Sequence, residues 1–272
     1  MNTATLAELD APYALSPGTI AAYRRDGYTK LPQVLSPATI ERYRGIVDKA
    51  VAERAKHYKP LEERTTYDKA FLQIGNLWTV DAGVRELAFS RRLARIAAEL
   101  MGCRGVRMYH DQALYKEPGG GFTPWHCDQR YWPMASANSI TAWIPLQAVP
   151  VEMGPLQFAV GSQHLVIPGR EMAISDDSET VLARTLADCP KDETPFALGE
   201  VSFHAGWTFH RAGPNQTKQL RSVMTVIYMD IDMRMLSPLP ERYANEVRYC
   251  CPDIKPGEIM ASPVNPVLWQ SG

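Results

Sequence analysis

Residues 121–129 read GFTPWHCDQ and place His126 and Asp128 two positions apart in an aromatic-rich run. If the run is a β-strand, residues i and i+2 share a face about 6–7 Å apart, so the pair can converge on one small cation. With 6 histidines and 30 acidic residues in 272, chance places an acid two positions after a histidine about 0.7 times in such a chain, so the pair needs partners elsewhere.

The same run belongs to a series. VRMYHDQALYK (106–116), SITAWIPLQAV (139–149), PLQFAV (155–160), EVSFHA (200–205), TFHRA (208–212) and RSVMTVIYMDI (221–231) are short, rich in β-branched and aromatic residues, and bounded by turns. Short strands without intervening helices predict an antiparallel barrel or sandwich. Residues 167–195, polar and acidic with SDDSET inside, read as a long excursion between strands, a functional lid or a mobile segment.

Upstream, the pattern is helical. Ser36 followed by Pro37 is an N-cap with proline at the first helical position, and Ile40, Tyr43, Val47, Ala50 and Val51 recur at helical spacing, predicting a helix to about Tyr58. YTKLPQVL before it reads as a short extended piece. SRRLARIAAELMG predicts a second helix capped by Ser90 and stopped at Gly102, with Leu93, Ile96, Ala97 and Leu100 on one face and Arg91, Arg92 and Arg95 solvated. The expected organisation is one domain over 1–272: helices over about 16–101, a barrel over about 105–232 and a tail over 233–272.

Net charge is −1 and hydrophobic content 45%, enough for a core and without the basic surplus that nucleic acid or an anionic membrane would attract. No apolar run approaches the roughly 20 residues that span a bilayer, so a cytoplasmic protein is expected. Five cysteines without a CxxC pair predict reduced thiols, the adjacent Cys250 and Cys251 among them.

For a third ligand beside His126 and Asp128, HAGWTFHRAGPNQTKQLR (204–221) offers His204 and His210. Two imidazoles and a carboxylate with open positions is the ligand set of non-haem Fe(II) oxygenases. A co-substrate also needs an anchor, and Arg221, across a GPN turn at the start of a strand, supplies a planar fork suited to a carboxylate.

WHCD (125–128), GPLQFAVGSQH (154–164) and GEVSFHAGWTFHRAGPNQTKQLR (199–221) together resemble the phytanoyl-CoA dioxygenase family of Fe(II)- and 2-oxoglutarate-dependent oxygenases. The likeness extends to YRRDGYTKLPQVLSPATIERYR (23–44), covering about residues 20–230. It implies a mainly β fold, a double-stranded β-helix or jelly-roll, cupin-like barrel with flanking N-terminal helices. It further implies His126, Asp128 and His210 as iron ligands, Arg221 on the distal carboxylate of 2-oxoglutarate, and Gln112 and Trp143 in the co-substrate pocket. Fe(II), 2-oxoglutarate and O2 would be the cofactor and co-substrates, succinate and CO2 the by-products, and hydroxylation of a small molecule the default outcome. The family's usual ENGPL and PGSH read VEMGPL and VGSQH here, which leaves that loop open.

His204 is expected to be packed or to support a ligand, His110 and His164 to be structural or superficial, and His57 to end an exposed helix. Trp125, Tyr131 and Trp132 divide evenly between cavity wall and core. Lys116 and Arg130 are candidates for gripping an anionic substrate, and Arg211 points away from the metal. Two readings compete with the oxygenase: a His/Asp/His metal hydrolase, and a catalytically silent binding barrel.

Overall fold

In the computed structural model, which describes residues 3–272, the capping signals fall where the local chemistry puts them. Helices α1 (Thr3–Asp10), α2 (Pro17–Asp26) and α3 (Pro37–Arg54) flank strand β1 (Tyr28–Leu31). Ser16 and Ser36 each accept the backbone N–H three residues on, with proline at the first helical turn. Helix α3 ends at Arg54 and gives way to a 3-10 turn over Ala55–His57; the side chain of His57 lies outside the described residues. After α4 (Thr66–Ala70), β2 (Leu72–Gly75) and α5 (Ala82–Ala88) comes α6 (Arg91–Met101), capped by Ser90 and closed by Gly102 in the left-handed conformation.

Strands β3 (Gly105–Tyr115), β4 (Thr123–His126), β5 (Ser139–Pro145) and β6 (Leu156–Ala159) follow. Helix α7 (Asp176–Thr185) then precedes β7 (Lys191–Asp192), β8 (Val201–Ala205), β9 (His210–Ala212) and β10 (Val223–Asp230), and the chain closes with α8 (Ala244–Cys250) and β11 (Val267–Gln270). Two antiparallel sheets form the jelly roll. The larger has the order β1-β8-β5-β10-β3-β11 with β2 also on β3, and the smaller β4-β9-β6-β7.

Alternation divides the large sheet. Ile140, Ala142 and Ile144, Val201 and Phe203, and Met224, Val226 and Tyr228 join α3, α5 and α6 in one buried apolar cluster. The intervening residues, among them Thr141, Trp143, His204 and Thr225, face the interior cavity. In β3 the alternation breaks where the register shifts: Ile227 pairs with His110 but Tyr228 with Met108, leaving Tyr109 as an extra residue. This bulge puts Val106 and Met108 on the helix side and His110, Gln112 and Leu114 on the cavity side.

The excursion over 167–195 contains α7, which the sequence reading did not anticipate. Ser175 and Ser178 exchange bonds in a capping box behind three acidic residues of the first turn. Glu179 Oε2 accepts Trp125 N–H at 2.7 Å, which fixes α7 against β4. Residues 244–250 form α8 and β11 pairs with β3, so the C-terminal region returns to the sheet. All five cysteines are free.

Candidate active site

His126 ends β4 and His210 begins β9, and the two face each other across the small sheet with ring centroids 4.2 Å apart. Asp128 stands differently from expectation. The strand stops at His126, and Asp128 opens a 3-10 turn over Asp128–Tyr131. The turn, rather than strand alternation, brings the carboxylate back to the imidazoles. Its Oδ1 lies 3.8 Å from His126 Nε2 and 3.6 Å from His210 Nε2.

The hydrogen bonds fix the tautomers. His126 Nδ1 is 2.7 Å from the Pro124 carbonyl and His210 Nδ1 is 3.0 Å from that of Thr208. A carbonyl only accepts, so each Nδ1 holds the proton and each Nε2 turns a lone pair toward Oδ1. Burial pushes both imidazoles down to about 4, so they are neutral. Burial also works to raise Asp128, but the bond that His204 donates to it helps hold the carboxyl well below the usual range. Two lone pairs and an anionic oxygen thus converge with no proton between them, an arrangement that a small cation completes. The donor set fits Fe(II), which accepts nitrogen and oxygen ligands in this combination.

Asp128 Oδ2 is held from behind. Thr141 Oγ1 donates to it at 2.9 Å and His204 Nε2 at 3.2 Å. His204 therefore supports the carboxylate, while its buried Nδ1 has no hydrogen-bond partner.

A cavity of about 430 Å³ opens from this group, and Gln112, Trp143 and Arg221 all line it. Gln112 and Trp143 pair with Thr225 from either side, so the three form one row across the sheet. Arg221 is 2% exposed. Its guanidinium donates to the Gly154 carbonyl, its Nε is unpaired, and it forms no ion pair among the described residues. Burial pushes its pKa down to about 9. Gly154, with φ +73°, packs so tightly on the next turn that a Cβ would lie 2.3 Å from the Gly213 carbonyl oxygen. The variant loop VEMGPL thus keeps the glycine that presents a carbonyl to Arg221.

Other expectations divide. Tyr131 and Trp132 line the cavity, whereas Trp125 packs with Phe209, Leu182 and Leu186 in a separate core. Lys116 is buried outside the cavity wall, bonded to the Gly121 carbonyl. Arg130 donates to the Glu171 carbonyl, and Arg211 points outward to Gln157, Glu179 and Glu193. His164 is exposed, but His110 lines the cavity, against its reading as structural or superficial. Thr141, Thr225 and Glu246 also reach the cavity and were missed. For the threonines, SITAW and VMTVIY carried the signal: a polar residue at an inward position of an apolar strand.

A jelly-roll barrel enclosing two imidazoles and a carboxylate has the layout of the non-haem Fe(II) oxygenases. The chain belongs to the phytanoyl-CoA dioxygenase (PhyH) family, whose sequence profile matches residues 23–223. Membership makes it a dioxygenase of the Fe(II)- and 2-oxoglutarate-dependent kind. It is 28% identical over 224 residues to methylphosphonate hydroxylase of Gimesia maris, covering 79% of this chain and 80% of that one. To L-proline trans-4-hydroxylase of Streptomyces griseoviridis it is 26% identical over 231 residues, covering 76% and 83%. Among solved structures, the non-haem α-ketoglutarate-dependent carbocyclase SnoK superposes with TM-score 0.78 at 24% identity, covering 94% of this chain and 99% of that one. The epimerase SnoN, in complex with Fe3+, α-ketoglutarate and nogalamycin RO, does so with TM-score 0.76 at 24% identity, covering 98% and 100%.

Proposed function

We propose that this chain hydroxylates a compact, free organic molecule, using His126, Asp128 and His210 to hold Fe(II) and Arg221 to hold the distal carboxylate of 2-oxoglutarate. When bound, Fe(II) and 2-oxoglutarate supply the activation of dioxygen that lets a substrate C–H bond be oxidised, with succinate and CO2 released. The single observation that carries the reading is the convergence of two unprotonated Nε2 atoms on Asp128 Oδ1.

The chain's own residues do the rest. The Pro124 and Thr208 carbonyls keep each imidazole in its ligating tautomer, and Thr141 and His204 orient the carboxylate. Arg221 has a free Nε in a buried setting without a carboxylate, so a bidentate anion satisfies both its charge and its unpaired donor. Trp143, with its ring 5.5 Å from that guanidinium, keeps water from it. A hydrolase would leave Arg221 with nothing to bind. The cavity lies in the lower half of the roughly 300–1,000 Å³ range of ligand pockets and must also admit 2-oxoglutarate. That favours a free small molecule over a CoA thioester, as do the methylphosphonate and L-proline named for the relatives.

Anaerobic titration of metal-free protein with Fe(II) and then 2-oxoglutarate tests this. A visible charge-transfer band should appear only after both additions and be absent in His210→Ala. No band, or a band that survives in the variant, overturns the assignment.

A further inference from the structure

One end of the cavity carries a charge that the oxygenase machinery does not use. Glu246, Tyr249 and Cys250 share a face of α8, at helical spacings i, i+3 and i+4, and all three line the cavity with His110 and Trp132. The reactive atoms of Glu246, His110 and Cys250 lie within 4.8 Å of one another. Glu246 Oε1 accepts the Tyr109 hydroxyl at 2.8 Å, and no lysine or arginine among the described residues forms an ion pair with Glu246. His110 Nδ1 is 3.3 Å from the Asp111 carbonyl and so holds the ring proton, leaving Nε2 as an acceptor. Burial lowers the His110 pKa and favours that neutral ring.

Charge balance sharpens the point. The two positive charges of Fe(II) and the one of Arg221 are matched by Asp128 and the two carboxylates of 2-oxoglutarate, so Glu246 remains uncompensated. Among the described residues, the cavity wall offers no further lysine or arginine. We propose that Glu246 and His110, walled by Trp132, Tyr131 and Tyr249, form a subsite for a protonated amine, so that the molecule oxidised carries an ammonium group; this rests on the oxygenase reading above. An ammonium supplies what the subsite lacks: N–H donors for the Glu246 carboxylate and for His110 Nε2, and a cation for the aromatic faces. A metal ion on His110, Glu246 and Cys250 is the competing occupant, and the Zn2+ outcome below separates it from the amine.

The test is calorimetric titration with three probes of one shape, cyclohexylamine, cyclohexanol and cyclohexanecarboxylate. It is run at pH 7.5 on the Fe(II)- and 2-oxoglutarate-loaded protein without oxygen, and again on the metal-free protein. The amine should bind in both preparations, at least about tenfold tighter than the alcohol, with the carboxylate weakest. Glu246→Gln should lose that preference, about ten- to a hundredfold in amine affinity, while its charge-transfer band stays as in the parent. Tyr109→Phe, which removes a neighbour and keeps the carboxylate, should retain the preference. Equal binding of amine and alcohol, tighter binding of the carboxylate, or an unaltered preference in Glu246→Gln overturns the proposal. A second equivalent of Zn2+ that disappears in Glu246→Gln overturns it too, in favour of a metal site. Loss of the band in the parent strikes the iron assignment instead, and the metal-free titration still answers for the amine.

Discussion

Asp128 takes bonds from Thr141 and His204 on one oxygen and faces His126 and His210 with the other. Thr141→Val preserves shape and removes one of those bonds, so the carboxylate gains freedom to turn. Fe(II) affinity should fall about tenfold or more in an anaerobic titration, with the 2-oxoglutarate requirement at saturating iron unchanged. An unaltered affinity would leave the orientation to His204 alone. Arg221→Lys should do the reverse: lysine keeps charge but loses the fork, so half-saturation should need about tenfold more 2-oxoglutarate while iron binding holds. At this scale much of the candidate site was legible. His126, Asp128, His210 and Arg221 carry chemistry in their side chains, and all four reach the cavity. His110 and Glu246 were not legible, because one reaches the cavity by a bulge and the other from a distant short helix.

The elements were legible where local chemistry decides them. Ser36-Pro37 and Ser90 with Gly102 bounded their helices as read, because caps act within a few residues. The reading of GFTPWHCDQ overran its strand, since where pairing stops depends on the partner strand β9 rather than on the run itself. SDDSET reads as excursion although it starts a helix; serine and acidic residues suit a first turn and a loop alike. Between elements, buried Asp111 matters most: its two oxygens accept Leu77 N–H at 2.8 Å and Trp78 N–H at 3.0 Å, tying β3 to the turn after β2. Asp111→Ala leaves two buried donors unpaired. It should cost about 2–4 kcal/mol, read as a lower denaturant midpoint at unchanged slope.

For the whole molecule, Lys116 is a cost built into the core. It is fully buried, and burial, with Arg221 next, pushes its pKa from 10.5 down to about 6. Protonated when unfolded and neutral when folded below 10.5, it makes folding release a proton. The penalty is absent above about pH 10.5 and grows by about 1.4 kcal/mol for each unit that pH falls toward 6. Lys116→Met should therefore be more stable than the parent, and by a larger margin at pH 7 than at pH 9 in paired denaturation curves. Equal margins would mean that the ammonium stays protonated in the fold. Strand order was the least legible feature at this scale, because alternation tells which face a residue takes but not which strand lies beside it.

That order also has a consequence in time. The large sheet has β1 at one edge and, at the other, β11 beside β2 on the outer side of β3. Each pairs with a strand far along the sequence, β1 with β8 and β11 with β3. During synthesis β2 already covers residues 112–115 of the outer side of β3, and residues 105–107 keep an open backbone edge until residues 267–270 are made. That short stretch is open to pairing with other chains in that interval, when nearly all of the cavity wall has already been made.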